Sequence, residues 1–457
     1  MEKKDLFEKA KPPKALAMMA LPTIASQIVV LVYNLADTWF IGRTNNPYMV
    51  GASSLALTVY LAVTALANVF GVGGGSLMVR LIGEKKEQDA RRVASYSVAA
   101  AAVSALAFSL LTLFLMDPLL KLLGASSNTL PYAKQYVLAT TVFGGIPTVL
   151  SMAMPQMLRN AGFSKEAGLG VGIGSLLNVL LDPVFMFVLL PKGSEVLGAG
   201  IATMLSNCVS LLYFIVMYRK LRNKTVLSIP HRIEKISSEQ KRSLYSVGIP
   251  AAFAIFLFDL VTIVINRLTA SYGDTALAAM GIVLKLERIP IQVGLGVCLG
   301  MVPLVAYNYG AGNSVRMRQF VSLARIVILG FSCACAILFW AFAKPLVSAF
   351  IADDETVSQG ILFLRGRCLS LPFMMIGYHI VNYMNAVDKG KVSFLLALLR
   401  HIVLIIPVMI LMNLIWGLAG LVWSQLAADF LNAVAAFMIY RRIDSSLSST
   451  LPPHPKG

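Results

Sequence analysis

Four aspartates stand in stretches with little other charge: Asp37, Asp182, Asp259 and Asp429. The densest constellation is NVLLDP, residues 178–183. On a helix, Asn178 and Asp182 lie one turn apart and share a face. Pro183 has no N–H and crowds the carbonyl of Val179. One turn therefore offers a carboxylate, an amide oxygen and a freed carbonyl, a set suited to a proton or a small cation. Asp37 has a similar setting, with Tyr33 and Asn34 four and three residues before it and Pro22 earlier in the same run. If the two stretches face one cavity, two carboxylates meet in low dielectric and should take up a proton or cation readily. A lone aspartate can instead be satisfied by hydrogen bonds between helices, a reading that applies most to Asp259 and Asp429. Tyr33, Asn34, Gln156 and Asp259 are the polar candidates for lining a substrate cavity, with Pro22 and Pro183 as hinges.

The surroundings of these residues explain why they matter. Hydrophobic residues make up 57% of the 457 and charged residues 13%, against about 25% charged in an ordinary soluble domain. Too little charge remains to cover a water-facing surface. The composition predicts an integral membrane protein and excludes a cytosolic enzyme, a secreted domain or a disordered chain. A mid-membrane aspartate costs about 2.5–3.5 kcal/mol on insertion scales, which makes each one a candidate functional group. Among the basic residues, Lys285, Arg288, Arg365 and Arg367, with Glu287 nearby, read as long side chains reaching for an interface. His379, Arg400 and His401 read as satisfied core groups. Cys208, Cys298, Cys333, Cys335 and Cys368 lack metal or disulfide spacing and read as small apolar side chains.

A spanning helix needs about 20 apolar residues. Twelve runs qualify: 16–41, 51–79, 93–116, 136–158, 167–190, 198–218, 244–269, 276–306, 320–343, 358–385, 393–413 and 418–440. The basic start resembles a signal peptide, but its apolar run is too long and holds Asp37, so it reads as an uncleaved first span. With twelve spans, 27 Lys and Arg fall on the side of the termini and six on the other. Both termini are therefore expected in the cytoplasm, and the net charge of +17 is topological, with no nucleic-acid partner.

The halves echo one another. LPTIAS at Pro22 matches IPAAFA at Pro250, and RLIGEKK around Gly83 matches YNYGAGN around Gly310. LRNAG at Asn160 matches YMNAV at Asn385, and GAGIAT at Gly200 matches GLAGLV at Gly420. Offsets of 220–228 residues in shared order predict an internal duplication, a design that supports alternating access around a central cavity. The expected organisation is an all-α fold. It has a six-helix lobe over 1–218, a cytoplasmic linker 219–243, a second six-helix lobe over 244–440 and a tail 441–457. GVGGGS at 71–76 is read as a close-packing stripe. No Walker A, HExxH or GxSxG motif occurs, so an enzyme is not expected and energy must come from an ion gradient or a partner.

Five segments together resemble the multidrug and toxic compound extrusion (MATE) family. They are P-x14-D-T-W-F-I-G-R (Pro22 to Arg43), LRNAG, NVLLDPVF, VLGAGIAT and YNYGAG. The likeness is greatest to the bacterial branch of DNA-damage-inducible and staphylococcal drug-efflux members. The resemblance implies 12 transmembrane helices in two lobes around a V-shaped central cavity. It also implies an antiporter, monomeric in the inner membrane of a bacterium, that exports small organic cations and drugs in exchange for H+ or Na+, with no other cofactor. The family's polar network maps onto Asp37, Asn178, Asp182 and Thr203, where Na+ or a proton would couple, and Asp259 falls near a family acidic position. The second half lacks an NVLLDP counterpart, since IVLII precedes Pro407, which concentrates coupling in the first half. A flippase for a lipid-linked or anionic substrate is the alternative. It would call for Lys285, Arg288, Arg365 and Arg367 to face the cavity.

Overall fold

The computed structural model describes residues 3–44, 46–227 and 235–450. Among them every regular element is helical. The short α1 (Lys3–Glu8) precedes α2 (Pro12–Gly42), α3 (Pro47–Gly83) and α4 (Glu87–Leu122). Then come α5 (Leu130–Val137), α6 (Gly145–Asn160), α7 (Ser164–Val184) and α8 (Glu195–Leu221). The second half begins with α9 (Ser238–Ala270), α10 (Asp274–Gly310), α11 (Ser314–Ala341) and α12 (Ala343–Ser348). It ends with α13 (Asp354–Cys368), α14 (Leu371–Ala386), α15 (Gly390–Leu398) and α16 (Ile406–Thr450). Wider π-helical turns follow α5 (Leu138–Phe143), α7 (Phe185–Leu189) and α15 (Leu399–Ile405).

Nine of the described helical stretches are long and apolar enough to cross a membrane, and two bent pairs raise that to eleven. The expected spans 136–158 and 358–385 are these broken ones. The first is bent by 57° between Leu130–Phe143 and Gly145–Asn160, the second by 46° between Asp354–Cys368 and Leu371–Ala386. Apolar side chains continue through both breaks, so hydropathy alone does not reveal them. The longest stretch, Gly390–Ser445, covers two spans. Gly417 divides it at φ 58°, ψ −139°, in the gap between the expected runs 393–413 and 418–440. That backbone conformation is open to glycine and costly for residues with a Cβ.

Packing groups the chain into two compact units, Met1–Ile24 with Phe253–Gly457, and Ala25–Ala252. The division falls inside α2 and α9. Within the expected linker 219–243, α8 ends at Leu221 and α9 begins at Ser238, and 228–234 lie outside the described residues. Helix α16 continues to Thr450 through the start of the expected tail, and 451–457 lie outside the described residues.

Small residues set the closest helix approaches. A Cβ on Gly73 would collide with the carbonyl of Leu244, and one on Gly248 with the carbonyl of Val69. Thus α3 and the start of α9 touch backbone to backbone, as the 71–76 stripe suggested. In the other unit, a Cβ on Gly300 would sit 2.7 Å from Ala20 Cα, which brings α10 equally close to the start of α2. Around these crossings the interior is apolar, with Phe214, Tyr218 and Met157 buried in one unit and Phe363 and Met280 in the other.

The duplication is written into the helix ends. Lys86 N–H bonds Leu81 O at 2.9 Å, and Asn313 N–H bonds Asn308 O at 2.9 Å. Phe163 N–H bonds Leu158 O at 2.9 Å, and Lys389 N–H bonds Met384 O at 2.8 Å. These long-reach bonds close left-handed terminal turns that satisfy the last carbonyls. The left-handed residues pair between the halves: Lys85 (φ 62°) with Gly312 (φ 71°), and Gly162 (φ 87°) with Asp388 (φ 60°). The first pair keeps the offset of its repeat, and the second departs from it by one residue. Outside the spans, Asp353 caps α13 by accepting from Thr356 N–H at 2.8 Å and Thr356 Oγ1 at 2.6 Å. Those bonds hold its carboxyl below the ordinary pKa.

Two stability predictions follow from this packing. Gly248→Ala has no room against the Val69 backbone and should destabilise by about 1–3 kcal/mol, seen as a lower apparent unfolding midpoint in detergent. Lys85→Gly relieves a left-handed lysine whose conformation costs about 1–2 kcal/mol. After glycine's own entropic cost it should raise that midpoint, and an unchanged or lower value would contradict the assignment of the turn.

Candidate functional site

Helix α7 presents Asn178 and Asp182 one turn apart, both buried, at 2% and 0% exposure. Thr203 of α8 meets them from the side. With its amide oxygen turned toward Thr203, Asn178 donates to Asp182 Oδ2 at 3.3 Å and accepts from Thr203 Oγ1 at 3.2 Å. The amide thus relays between a hydroxyl and a carboxylate. Pro183 cannot donate to Val179, and the chain widens into the π-helical turn Phe185–Leu189 directly afterwards. Such turns collect at functional positions because they release backbone groups and re-aim side chains.

Asp37 lies in the same unit on α2, half-buried, and its Oδ1 has no hydrogen-bond partner among the described residues. Its charge is close enough to act on Asp182. Tyr33 of α2, Tyr60 of α3 and Tyr136 of α5 also feel that charge. Neither Asp37 nor Asp182 takes part in an ion pair among the described residues. The structure therefore brings Asn178, Asp182 and Thr203 within hydrogen-bond reach of one another, with Asp37 on α2 in the same unit. Tyr60 and Tyr136 were missed by sequence reasoning; their only signal is a hydroxyl in an otherwise apolar run.

Other expected residues sit apart. Gln156 donates to Asn68 Oδ1 at 3.1 Å, and Asn207 donates to Thr148 Oγ1 at 3.0 Å. Both belong to a polar ladder between α3, α6 and α8. Asn34 is exposed on α2, and its carbonyl accepts from Thr38 Oγ1 at 2.9 Å. Asp259 is on α9 in the other unit, half-buried.

That other unit holds a second polar centre of opposite character. Arg367 of α13 grips Glu287 of α10 with two bonds, Nε to Oε1 at 2.9 Å and Nη2 to Oε2 at 2.8 Å. Both side chains are 6% exposed, so the interface-reaching reading fails for this pair. It suits Arg365, which is exposed beside Trp340. Arg400, in the π-helical turn after α15, donates through Nε to Asp429 Oδ1 at 2.8 Å, and Gln425 donates to Asp429 Oδ2 at 2.6 Å. Its Nη1 faces Tyr378 Oη at 3.1 Å and His401 Nε2 at 3.2 Å. Since His401 Nε2 meets a guanidinium donor, it must accept. The ring proton is on Nδ1, which donates to Ala397 O at 2.9 Å. Asp429 is thus a satisfied structural carboxylate.

Comparison with known proteins agrees with this architecture. The MatE family model matches twice, over residues 22–184 and 250–411, so its two copies begin at the prolines aligned above. The multidrug export protein MepA of Staphylococcus aureus (strain MSSA476) is 31% identical over 434 residues, 95% of this chain and 94% of that protein. A MATE crystallised in a straight conformation superimposes with a TM-score of 0.92 at 23% identity, covering 98% of this chain and 100% of that one. A MATE in a bent conformation gives 0.89 at 23% identity, covering 98% and 99%. Two matches to one family model, a relative of near-equal length and the shared two-lobe, 12-helix fold make this chain a member of the MATE family.

Proposed function

We propose that the protein is a multidrug efflux antiporter that exports organic cations in exchange for H+ or Na+. The observation that carries this reading is the buried Asp182–Asn178–Thr203 cluster, with an Asp37 oxygen in the same unit that has no hydrogen-bond partner among the described residues. The cluster has carboxylate charge and oxygen donors but no ion-pair partner among the described residues. A proton could neutralise it, and so could a sodium ion held by Asp37, Asn178, Asp182 and Thr203. The naming of MepA as a multidrug export protein supports drugs as the cargo, and the absence of hydrolase or nucleotide motifs agrees with gradient-driven transport.

In this mechanism the outward-facing state takes the ion onto Asp37 and Asp182. Neutralising the pair removes the attraction that holds a cationic drug and relaxes the helices that carry the carboxylates. The inward-facing state releases the ion and rebinds drug through apolar and aromatic contacts plus the restored charge. Each ligand moves the equilibrium only through its different affinity for the two states. Pro22 and Pro183 interrupt the backbone ladders of α2 and α7 and serve as hinges. Solved MATE structures in a straight and in a bent conformation support a conformational change of this kind. The lysine and arginine bias supports a cytoplasmic side for both termini, and the proposed working unit is a monomer in a bacterial inner membrane.

The test uses proteoliposomes loaded with ethidium, under an imposed proton gradient and then a sodium gradient. Export should follow one gradient and fall to background in Asp182→Asn, while the variant still elutes as folded protein. Full gradient-driven export by Asp182→Asn would sink the assignment. Thr203→Val removes one of the two donors to the Asn178 amide oxygen and leaves the backbone N–H of residue 203, at a cost of about 0.5–1.5 kcal/mol. Export in that variant should need a roughly tenfold higher concentration of the coupling ion, at half-maximal rate. An unaltered ion dependence would remove Thr203 from the site.

A further inference from the structure

The second polar centre opens into a cleft that coupling through Asp37 and Asp182 does not use. Within its own unit the cleft is lined by Glu287, Arg288, Arg367, Arg400, His401 and Gln425, with apolar walls that include Phe258 and Met374. Three guanidiniums face it against one carboxylate. Asp429, the partner of Arg400, and Asp259, next to Phe258 in sequence, are not among the lining residues.

The three arginines are not equivalent. Arg400 is matched by Asp429 and Arg367 by Glu287. The two-bond grip of Glu287 takes up Nε and Nη2 of Arg367 and leaves its Nη1, also buried, without any acceptor among the described residues. Arg288 is exposed and has no hydrogen bond or ion pair among the described residues. At 1.5 Å per residue it sits about 21 Å along α10 from Asp274 and about 33 Å from Gly310. Reaching either end of the helix is beyond an arginine side chain, so Arg288 holds its charge at depth, where charge is expensive, with Asp259 of α9 near enough to act on it but not hydrogen-bonded to it.

We propose that this cleft is an anion subsite. It takes the carboxylate or phosphate group of an amphiphilic molecule on Arg288, with the free edge of Arg367 as a second donor, while the apolar walls take the rest. Guanidinium–oxyanion pairing is strong and directional. The apolar walls select against free inorganic ions and for a flat aromatic or aliphatic body. Two sources carry this chemistry, a zwitterionic aromatic solute and an anionic phospholipid. The place of the subsite in transport rests on the export reading above; the binding itself does not.

The experiment measures binding to the full-length protein in phosphatidylcholine nanodiscs, with rhodamine B, which has a free carboxylate, and with its ethyl ester. Wild type should prefer rhodamine B, and Arg288→Gln should reduce the ratio of the two affinities about tenfold. Arg288→Lys should recover most of that preference. Repeating the titration with phosphatidylglycerol in the disc separates the sources. Competition in wild type that disappears in Arg288→Gln identifies the lipid headgroup as occupant, and lack of competition identifies the solute. An affinity ratio indifferent to Arg288, or no binding of rhodamine B in either bilayer, overturns the proposal. Ethidium export by the wild-type protein is followed in parallel. Export without an Arg288-dependent ratio rejects the anion subsite alone, and an Arg288-dependent ratio without export rejects the antiport reading alone.

Discussion

Hydrocarbon cannot solvate a charge, so each ion that the chain buries must be answered from within the protein or by something the protein binds. The two units meet this constraint in opposite ways. In the second, Glu287 and Asp429 each have an arginine within 2.9 Å. In the first, Asp182 has an amide and a hydroxyl nearby, and Asp37 keeps an oxygen without a hydrogen-bond partner among the described residues. Breaking a buried arginine–carboxylate pair is costly, because it strands a charge. A carboxylate with only neutral partners can exchange a proton or cation and return to its starting state. The repeated scaffold thus carries a closed polar centre in one unit and an open one in the other.

The repeat itself is conserved in backbone geometry more than in side-chain chemistry. Lys85 and Gly312 adopt the same left-handed turn, as do Gly162 and Asp388. In each case a helix must stop and its final carbonyls must find donors. That requirement tolerates a lysine or an aspartate where its counterpart is glycine, at some cost in strain. Nothing comparable holds Asp182 to a counterpart, and the corresponding stretch before Pro407 has drifted to Arg400, His401 and an apolar run. Close packing follows the same logic. Gly73 with Gly248, and Gly300 with Ala20, allow main chains to touch where lipid supplies no hydrophobic force to press helices together.

The parts legible in the sequence were those encoded locally. Asn178, Asp182 and Pro183 lie within one turn, and a single-turn motif keeps its meaning wherever the helix is placed. Gly417 also showed itself, as the gap between two apolar runs. The breaks near Gly144 and at Leu369–Ser370 did not, because apolar residues run across both and a bend leaves no mark on hydropathy. The Glu287–Arg367 and Arg400–Asp429 pairs were equally hidden. Their members are 80 and 29 residues apart, and a charge in an apolar run looks the same whether it reaches for an interface or for a partner. Arg365 and Arg367, two residues apart, have opposite fates for that reason.

Composition and period alone determined that this chain lives in a bilayer as paired bundles of helices, because too little charge remains to face water and two halves repeat in order. They also marked a cluster of oxygen donors, since Asn178 and Asp182 of α7 lie within one turn. Only the tertiary structure decided which buried charges are neutralised. Pairing depends on helices distant in sequence approaching to within a hydrogen bond, and that approach is governed by the packing of small residues and the angles of broken helices. The result is that Asp182 has only neutral hydrogen-bond partners, Glu287 and Asp429 each have an arginine, and Arg288 lines a cleft of the same unit.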